Sequence, residues 1–346
     1  MSCSLITGIT GQDGSYLAEQ LLARGDSVHG IVRRSSQFNR NRIEPLREAY
    51  PTSLHLHYAD LHDTTALRRI IVSTAPEELY HLAGQSHVGL SFEIPESTLS
   101  EVTNATLSIL EICKDQPSPP RILIAGSSEI FGAPVDGPQT EETAHRPTSP
   151  YGCAKSCALH LGRVYREAFG LFVSGTIAYN HESVRRGPNF VTKKITSSVA
   201  RIAQGSDEII RLGNLDASRD WGFAPDYVEA MTRILGADQP DEFLLATGTS
   251  TTVRQFATAA FKAAGQQIEF EGTELDEIGR VNGRKVLTID PRFFRPVDST
   301  TLVGDAGKAR RLLGWEPQTS GAAVAEAMVK DEISQSDGGS NQLQDI

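Results

Sequence analysis

The chain has 346 residues, of which 39% are hydrophobic and 22% are charged. This composition is ordinary for a globular protein and leaves room for one large domain with a smaller one. The formal net charge of -10 argues against broad binding to nucleic acids or to anionic membranes.

The first half of the chain alternates strand-like and helix-like segments. Short apolar runs predict strands at 4–7, 28–32, 54–58, 78–82, 121–125 and 172–178. Helical periodicity predicts helices at 16–23, 67–71, 99–113 and 149–169. This repeated β-α-β order predicts an α/β fold, a Rossmann-like doubly wound parallel sheet with helices on both faces.

The pattern is less regular in the second half. Helices are predicted at 190–203, 227–235, 253–264 and 306–313, and one more strand of the sheet at 243–247. Residues 268–300 are predicted to be rich in loops, because Gly and Pro recur there. From about residue 334 the apolar periodicity ends, which predicts a disordered tail over 334–346.

Three glycines follow the first predicted strand and lead into the first helix. Gly8, Gly11 and Gly14 form a G-x-x-G-x-x-G motif in this strand-turn-helix context. Such glycines permit a tight turn and let backbone N–H groups approach a pyrophosphate at the helix N-terminus. The motif predicts a dinucleotide site, and the alternative is an ordinary glycine-rich turn.

The end of the second strand indicates which dinucleotide is bound. A carboxylate at this point usually holds the ribose 2′-OH of NAD, but this strand ends Val32-Arg33-Arg34-Ser35-Ser36. Two arginines favour the 2′-phosphate of NADP, although a solvated basic loop is the alternative. Asp60 follows the third strand and is suited either to accept from the adenine amino group or to cap the strand.

A catalytic group is predicted where the fifth strand ends. Tyr151 and Lys155 form Tyr-x-x-x-Lys on one helical face, where an ammonium stabilises a phenolate and lowers the tyrosine pKa. Ser127 is placed to hydrogen-bond a reacting oxygen. Glu129 would be superfluous in a simple alcohol dehydrogenase, but a dehydratase needs a second acid/base. The alternatives are a surface helix pair and a carboxylate that caps a helix.

Together these motifs resemble the extended short-chain dehydrogenase/reductase family, and within it the GDP-mannose 4,6-dehydratases. Matching stretches run in order over about residues 3–330. The narrowest of them are Asn180-His-Glu-Ser183 and Arg219-Asp-Trp-Gly222, and another is Asp290-Pro-Arg-Phe-Phe-Arg-Pro296.

The resemblance implies a mechanism. Tyr151, supported by Lys155, removes the C4 hydroxyl proton while a hydride passes to NADP. Glu129 takes the C5 proton and helps to expel the C6 hydroxyl as water. The hydride then returns to C6 and gives GDP-4-keto-6-deoxy-mannose. Ser127 stands where the family usually has threonine, so the hydroxyl is retained.

The resemblance also implies binding residues. Cofactor contacts are expected from Gly8, Gly11, Gln12, Asp13, Gly14, Arg33, Arg34, Ser35, Asp60, Leu61, Leu82, Gln85, Tyr151, Lys155, His181 and Arg186. Contacts with the GDP-sugar are expected from Ser86, Ser127, Glu129, Asn180, Val191, Lys194, Leu212, Gly213, Asn214, Arg219, Arg295 and Asp298. A fold-supporting hydrogen bond is the alternative for each single polar residue, and for Arg186 a subunit contact is a further one.

Several positions depart from the family pattern. Val184 replaces the usual proline after Asn-His-Glu-Ser, and Gly187-Pro-Asn-Phe190 replaces Gly-Glu-Thr-Phe. Pro188 and Asn189 lie near the expected sugar pocket, so a related substrate such as a GDP-manno-heptose is the first alternative. An epimerase would not need Glu129, and an NADP-sensing regulatory module would not need Tyr151 and Lys155.

Partners and compartment follow from the same reading. The Arg33–Ser36 loop resembles one at a subunit interface of the family, which predicts a homodimer or homotetramer. The four cysteines lack metal-like spacing, and His55 and His57 lack a third ligand nearby, so no metal is predicted. Residues 1–8 do not resemble a signal peptide, and we expect a cytoplasmic protein.

The resemblance assigns residues 1–180 to an NADP-binding domain, to which the chain returns around 215–250. Residues 181–333 are expected to form mainly a smaller mixed α/β C-terminal substrate-binding domain.

Overall fold

The structure, a computed structural model, describes residues 2–34, 40–132, 137–293 and 301–339. It divides into two compact units. The first unit comprises Met1–Tyr179, Ala224–Ala246 and Gly304–Glu316, and the second comprises Asn180–Phe223, Thr247–Val303 and Pro317–Ile346.

Strands and helices are numbered along the chain. The strands are β1 (Cys3–Thr7), β2 (Ser27–Val32), β3 (Leu54–Tyr58), β4 (Glu78–His81), β5 (Arg121–Ala125), β6 (Val173–Ala178), β7 (Asn180–Glu182), β8 (Ile210–Leu212), β9 (Ser218–Phe223), β10 (Glu242–Leu245), β11 (Ser250–Thr252), β12 (Glu269–Glu271), β13 (Ile278–Val281), β14 (Arg284–Ile289) and β15 (Thr301–Leu302). The helices are α1 (Gln12–Arg24), α2 (Glu44–Ala49), α3 (Thr64–Thr74), α4 (Val88–Glu93), α5 (Pro95–Leu99), α6 (Ala105–Lys114), α7 (Pro150–Phe169), α8 (Val191–Ala203), α9 (Ala224–Leu235), α10 (Val253–Ala263), α11 (Gly307–Leu313) and α12 (Gly321–Gly339).

The first unit is built on a seven-stranded sheet in the order β10-β6-β5-β4-β1-β2-β3. Every neighbouring pair is parallel. The predicted doubly wound α/β sheet is therefore confirmed. The order reverses between β1 and β4, and open α/β sheets bind ligands at this point, beyond the carboxyl ends of the strands.

Helices cover both faces of this sheet. On one face, α1 and α9 pack together over a buried cluster that includes Ile6, Leu17 and Tyr227. On the other face, α7 lies so close that a Cβ at Gly162 would stand 2.8 Å from Ile124 Cδ1. Because both faces are covered, the central strands are mostly buried, and their carboxyl ends are the part of the sheet best placed for chemistry.

The second unit contains two small sheets and three packed helices. One sheet has the order β11-β9-β15, with β7 also paired to β9, and the other has the order β12-β13-β14-β8. Helices α8, α10 and α12 contact one another. They enclose an apolar cluster that includes Trp221, Phe256, Phe261 and Met328.

The structure corrects the prediction that residues 268–300 are rich in loops. Strands β12, β13 and β14 lie there, and Asn282 and Gly283 form the tight turn between the last two. Their φ angles are 49° and 76°, as expected for an Asn-Gly hairpin turn in which both central residues have positive φ. The Asn-Gly pair is the sequence signal for this turn, and it marks a hairpin within a segment that is otherwise rich in Gly and Pro.

Two further differences concern helices. The predicted helix over 99–113 is interrupted by a π-helical turn at Ser100–Asn104. Helix α12 continues through Gly339, past residue 334, where the tail was predicted to begin. Gln335 Nε2 donates to Asp331 Oδ2 at 2.7 Å, a contact one helical turn apart that is independent of apolar periodicity. Residues 340–346 lie outside the described residues.

In the part of the chain that the structure describes, no helix combines the length and apolarity needed to cross a membrane.

Candidate active site

The glycine motif forms the turn between β1 and α1. Gly8 has a φ of 77°, and a Cβ there would lie 2.9 Å from Ala83 Cα. A Cβ at Gly14 would lie 2.3 Å from Gly8 O, so this glycine lets the helix close onto the turn. A Cβ at Gly11 would meet only Gly8 O, at 3.1 Å. Gly8 and Gly14 are thus needed by the turn itself, whereas Gly11 leaves space for a phosphate at the start of α1.

Two more strand ends, those of β2 and β3, lie on one side of this turn. Arg33 and Arg34 follow β2 and are exposed. Asp60 follows β3, and its Oδ1 accepts from the backbone N of His62 at 3.0 Å. Hydrogen bonds from the His62 backbone and side chain lower the pKa of Asp60, and the nearby Arg33 charge adds to them. Asp60 is therefore an ionised acceptor.

Other predicted cofactor residues lie along the same edge. Gln12 Nε2 donates to Asp13 Oδ1 at 3.0 Å in the first turn of α1. Leu82 follows β4, and Leu61 follows Asp60. Gln85 Nε2 donates to His87 O at 3.0 Å, so this side chain supports its own loop. Ser86 is exposed.

The four predicted catalytic residues come together at the end of β5 and the start of α7. Ser127 Oγ accepts from Glu129 N at 3.3 Å in a 3-10 turn. A Cβ at Gly152 would lie 2.5 Å from Glu129 O, so the first turn of α7 lies against this turn. Lys155 Nζ is 5.8 Å from the centroid of the Tyr151 ring and donates to Ala125 O at 2.7 Å.

The α7 start is well defined by its own sequence. Ser149 is the N-cap residue and its Oγ accepts from Gly152 N at 3.0 Å, while Pro150 occupies the first helical position. Both are typical of helix starts. The helix therefore begins at a fixed residue, which places Tyr151 and Lys155 one turn apart beside the end of β5.

Lys155 is buried, and burial lowers its pKa to about 8, against the opposing charge of Asp13. A buried histidine lies on the neighbouring strand: burial and the Lys155 charge lower the pKa of His81 to about 3. Thr7 Oγ1 accepts from the backbone N–H groups of Leu82 and Ala83, each at 3.1 Å. Its hydroxyl then donates to His81 Nδ1 at 2.9 Å, which assigns the proton of the neutral imidazole to Nε2.

In the second unit, Asn180 and His181 lie on β7, paired with Trp221 and Gly222 of β9. Arg186 has its guanidinium 3.6 Å above the Phe190 ring, and its Nε is 2.9 Å from Glu182 Oε2. Arg186 thus holds the 187–190 loop within its own unit. Its expected cofactor contact stays a prediction.

Four expected substrate residues cluster around α8 and the end of β8. Val191 is the first residue of α8 and is partly exposed. Lys194 Nζ donates to Arg211 O at 2.6 Å, and burial lowers the pKa of Lys194. Leu212 is the last residue of β8, and Gly213 comes next in the chain. Gly213 lies against the backbone of Phe293: a Cβ at this position would lie 2.7 Å from Phe293 O.

The Arg219-Asp-Trp-Gly222 motif forms the centre of β9. Arg219 is buried, and its Nη1 donates to Ser218 O at 2.8 Å. Asp220 accepts from Thr247 N and Gly248 N, each at 2.8 Å, and so fixes the loop after β10. Asn214 Oδ1 accepts from Asp216 N at 2.9 Å. Ser35, Arg295 and Asp298 lie outside the described residues.

Sequence reasoning missed four residues beside these positions. Thr7 and His81 pair across β1 and β4, and Arg42 Nη1 donates to Thr10 O in the glycine turn at 3.0 Å. Phe293 lies with its ring 3.9 Å from Lys194 Nζ and is 48% exposed. The first two of these contacts join distant segments, so the sequence around Thr7, His81 and Arg42 carries no local signal for them. Phe293 lies in the Asp290–Pro296 motif, where an aromatic side chain beside Arg and Pro is a signal that could have identified it.

Comparison with known proteins identifies the family. The family model described as GDP-mannose 4,6 dehydratase matches residues 5–328. The chain belongs to this family. It is 45% identical over 339 residues to GDP-mannose 4,6 dehydratase 2 of Caenorhabditis elegans, which covers 95% of this chain and 88% of that protein. It is 44% identical over 338 residues to the human GDP-mannose 4,6 dehydratase, with 95% and 91% covered.

Solved structures agree on the fold of the GDP-mannose 4,6-dehydratase family member described here. DesIV, a dTDP-glucose 4,6-dehydratase of Streptomyces venezuelae with NAD and TYD bound, superposes with a TM-score of 0.81 at 21% identity, covering 97% of this chain and 98% of that one. RMD of Pseudomonas aeruginosa, complexed with NADPH, gives a TM-score of 0.74 at 21% identity, with 96% and 100% covered.

Proposed function

We propose that this chain is an NADP-dependent GDP-mannose 4,6-dehydratase that forms GDP-4-keto-6-deoxy-mannose. The observation that carries the proposal is that Glu129 lies beside the Tyr151–Lys155 pair at the end of β5. Oxidation at C4 needs a base for a hydroxyl proton, and elimination across C5 and C6 needs an acid/base for carbon and oxygen. A family relationship at 45% identity supports the same assignment.

Each of the four catalytic residues has a defined role. Tyr151 takes the proton of the C4 hydroxyl, and the Lys155 ammonium stabilises the phenolate that results. Ser127 donates a hydrogen bond to the C4 oxygen. Glu129 takes the C5 proton and delivers a proton to the departing C6 hydroxyl, which leaves as water. When the hydride returns to C6, C5 takes up one proton from water, and Tyr151 releases its proton to water, so that no proton is gained or lost over the whole reaction.

The turn after β1 fits a dinucleotide, because Gly11 leaves space above the start of α1. When bound, NADP supplies the hydride acceptor for C4 and the hydride donor for C6. NADP is proposed rather than NAD because Arg33 and Arg34 are exposed after β2, where no carboxylate follows the strand. The first unit would bind this cofactor and the second mainly the GDP-sugar.

The proposed substrate contacts come from the second unit. Lys194 and Arg219 would bind the diphosphate, and Val191 and Leu212 would contribute apolar surface. The side chains of Asn180 and Asn214 would hydrogen-bond the nucleoside or the sugar. Arg295 and Asp298 are also proposed to contact the GDP-sugar. Arg219 is buried. Its interaction with a bound anion would be stronger there than in water, because the local dielectric constant is lower.

Assembly and compartment are proposed on separate grounds. A homodimer or homotetramer would place the Arg33–Ser36 loop at a subunit interface, which sedimentation of wild type and Arg34→Ala protein would test. A cytoplasmic location is supported by the four cysteines, all of which are free, as is usual in a reducing compartment.

Mass spectrometry tests the proposed reaction. The purified protein should convert GDP-mannose to a product lighter by one water, without added NADPH. Glu129→Gln should slow elimination by about 10²–10⁴-fold, since the base is lost while the shape is kept. Glu167→Gln, at an exposed position on α7, is the matched control and should retain activity.

Two results would overturn the proposal. One is water loss from GDP-manno-heptose but not from GDP-mannose, which would assign the other substrate. The other is a product of unchanged mass with C4 inverted, which would mean an epimerase. Elimination that survives in Glu129→Gln would refute the role of that carboxylate.

A further inference from the structure

Asp60, His62 and Ser100 form a hydrogen-bonded chain at the carboxyl edge of the first unit's sheet. Asp60 Oδ1 lies 2.8 Å from His62 Nδ1 and also accepts from the backbone N of His62 at 3.0 Å. His62 Nε2 lies 3.1 Å from Ser100 Oγ. Asn104 Nδ2 in turn donates to Ser100 Oγ at 3.3 Å.

The direction of each hydrogen bond follows from the end groups. An ionised carboxylate only accepts, so His62 Nδ1 carries the proton that faces Asp60. Nε2 of the neutral ring is then an acceptor, and the Ser100 hydroxyl donates to it. Since the Asn104 amide donates to the same hydroxyl oxygen, every bond in the chain has one consistent direction.

The chain joins two segments that follow different strands. Asp60 and His62 follow β3, whereas Ser100 lies on the helical segment after β4, and β2 and β1 separate these strands in the sheet. Ser100 is the first residue of the π-helical turn Ser100–Asn104. π-Helical turns are rare in proteins, and a large share of those that occur lie at functional sites. Here the turn brings Asn104 back to Ser100 Oγ.

We propose that His62 and Ser100 are positioning residues that orient Asp60 to accept the 6-amino group of the adenine of NADP. This inference rests on the cofactor assignment in the proposed function. Both hydrogen bonds from His62 go to Oδ1, so neither uses the lone pairs of Oδ2, and the Asp60 side chain is 45% exposed. Arg33 follows the adjacent strand and would meet the 2′-phosphate of the same nucleoside.

Binding of the two halves of the cofactor tests the role. We would titrate 2′,5′-ADP and, separately, nicotinamide mononucleotide into wild type, His62→Phe, Ser100→Ala and the double variant. Each single variant should bind 2′,5′-ADP about fivefold to tenfold more weakly. The double variant should bind no more weakly than His62→Phe, because the two residues act through one chain. Binding of the mononucleotide should stay unchanged.

The control is Ser97→Ala on the same helical segment. Ser97 Oγ donates to Glu101 Oε1 at 3.2 Å and takes no part in the chain, so this variant should bind like wild type. Alanine favours helix, so Ser100→Ala should remain folded. Equal binding of 2′,5′-ADP by wild type and Ser100→Ala, or an equal loss for both halves of the cofactor, would overturn the inference.

Nitrogen chemical shifts of His62 supply a readout that needs no cofactor. The neutral ring should carry its proton on Nδ1 in wild type, and Ser100→Ala should shift the Nε2 resonance while Ser97→Ala should not. If the wild type bound neither half of the cofactor, the proposed function would fail. If the wild type bound both halves of the cofactor, and the His62 and Ser100 variants bound them with the same affinity, only this inference would fail.

Discussion

Lys155 shows at the residue scale how a reactive site costs stability. Its ammonium is buried, with one hydrogen bond to Ala125 O, and its pKa falls from 10.5 to about 8. At pH 7 the group is still mainly charged, as its proposed role of stabilising a phenolate at Tyr151 would require. The protein therefore keeps a charge in a place where burial disfavours it.

Replacing this lysine should separate stability from activity. Lys155→Met should raise the free energy of unfolding at pH 7, by at most about 3 kcal/mol, because the cost of burying the charge disappears. The pKa is lower in the folded than in the unfolded state. The destabilisation is therefore complete below pH 8 and is lost as the pH rises from about 8 towards 10.5.

Urea unfolding of both proteins at pH 7 and at pH 10 measures the effect. The advantage of the variant should shrink between these values while its dehydration activity is lost at both. An advantage that stayed constant with pH would show that packing, rather than charge, sets the difference.

Sequence reasoning could single out some residues of the candidate site but not others, for a physical reason. Gly8 and Tyr151 could be predicted because their motifs are local, with spacing fixed by a turn or a helix. Thr7 and His81 were missed because their hydrogen bond joins β1 to β4, and only the folded sheet brings them together. A buried polar pair of this kind has no spacing to recognise.

At the scale of elements, the turn between β1 and α1 separates two roles of glycine. Gly14 is packed against the preceding turn: a Cβ at this position would lie 2.3 Å from Gly8 O and 2.7 Å from Ile9 Cα. Gly11 has an extended backbone with φ -70° and ψ 177°, which alanine adopts without strain. One glycine is therefore required by the fold, and the other is the one that we propose to be required by the ligand.

Alanine at these two positions should have different effects. Gly11→Ala should leave the free energy of unfolding within about 1 kcal/mol of wild type, yet weaken NADP binding about tenfold or more, because its methyl group would occupy the phosphate space. Gly14→Ala should lose about 1–3 kcal/mol, since helix and turn must move apart.

Thermal unfolding and NADP titration on the same two variants check this prediction. Wild-type affinity in Gly11→Ala would contradict the placement of the phosphate. Unchanged stability in Gly14→Ala would contradict the packing of the turn.

The β-hairpin of the second unit marks the limit of element prediction. Strand β12 reads Glu269-Phe-Glu271 and contains one apolar residue, so alternation alone does not identify it. It is a strand because β13 pairs with it, and β14 extends the sheet to β8. Non-local pairing overrides a weak local preference here.

On the scale of the whole molecule, the chain passes between its two units several times. The first unit also contains Ala224–Ala246 and Gly304–Glu316, each of which follows a long segment of the second unit. The sequence predicted the first unit's sheet well, because buried parallel strands leave continuous apolar runs that alternate with helices. The later crossings depend on contacts such as Trp315 Nε1 donating to Asp226 O, which joins residues 89 positions apart.

The most direct test of the whole account follows one hydrogen atom through the reaction. GDP-mannose carrying deuterium at C4 should give a product with that deuterium at C6, undiluted by an excess of unlabelled NADPH in solution. Retention follows if the cofactor stays bound while Tyr151 and Glu129 act in turn. Deuterium that remained at C4, or that appeared in the free NADPH instead of the sugar, would contradict the account.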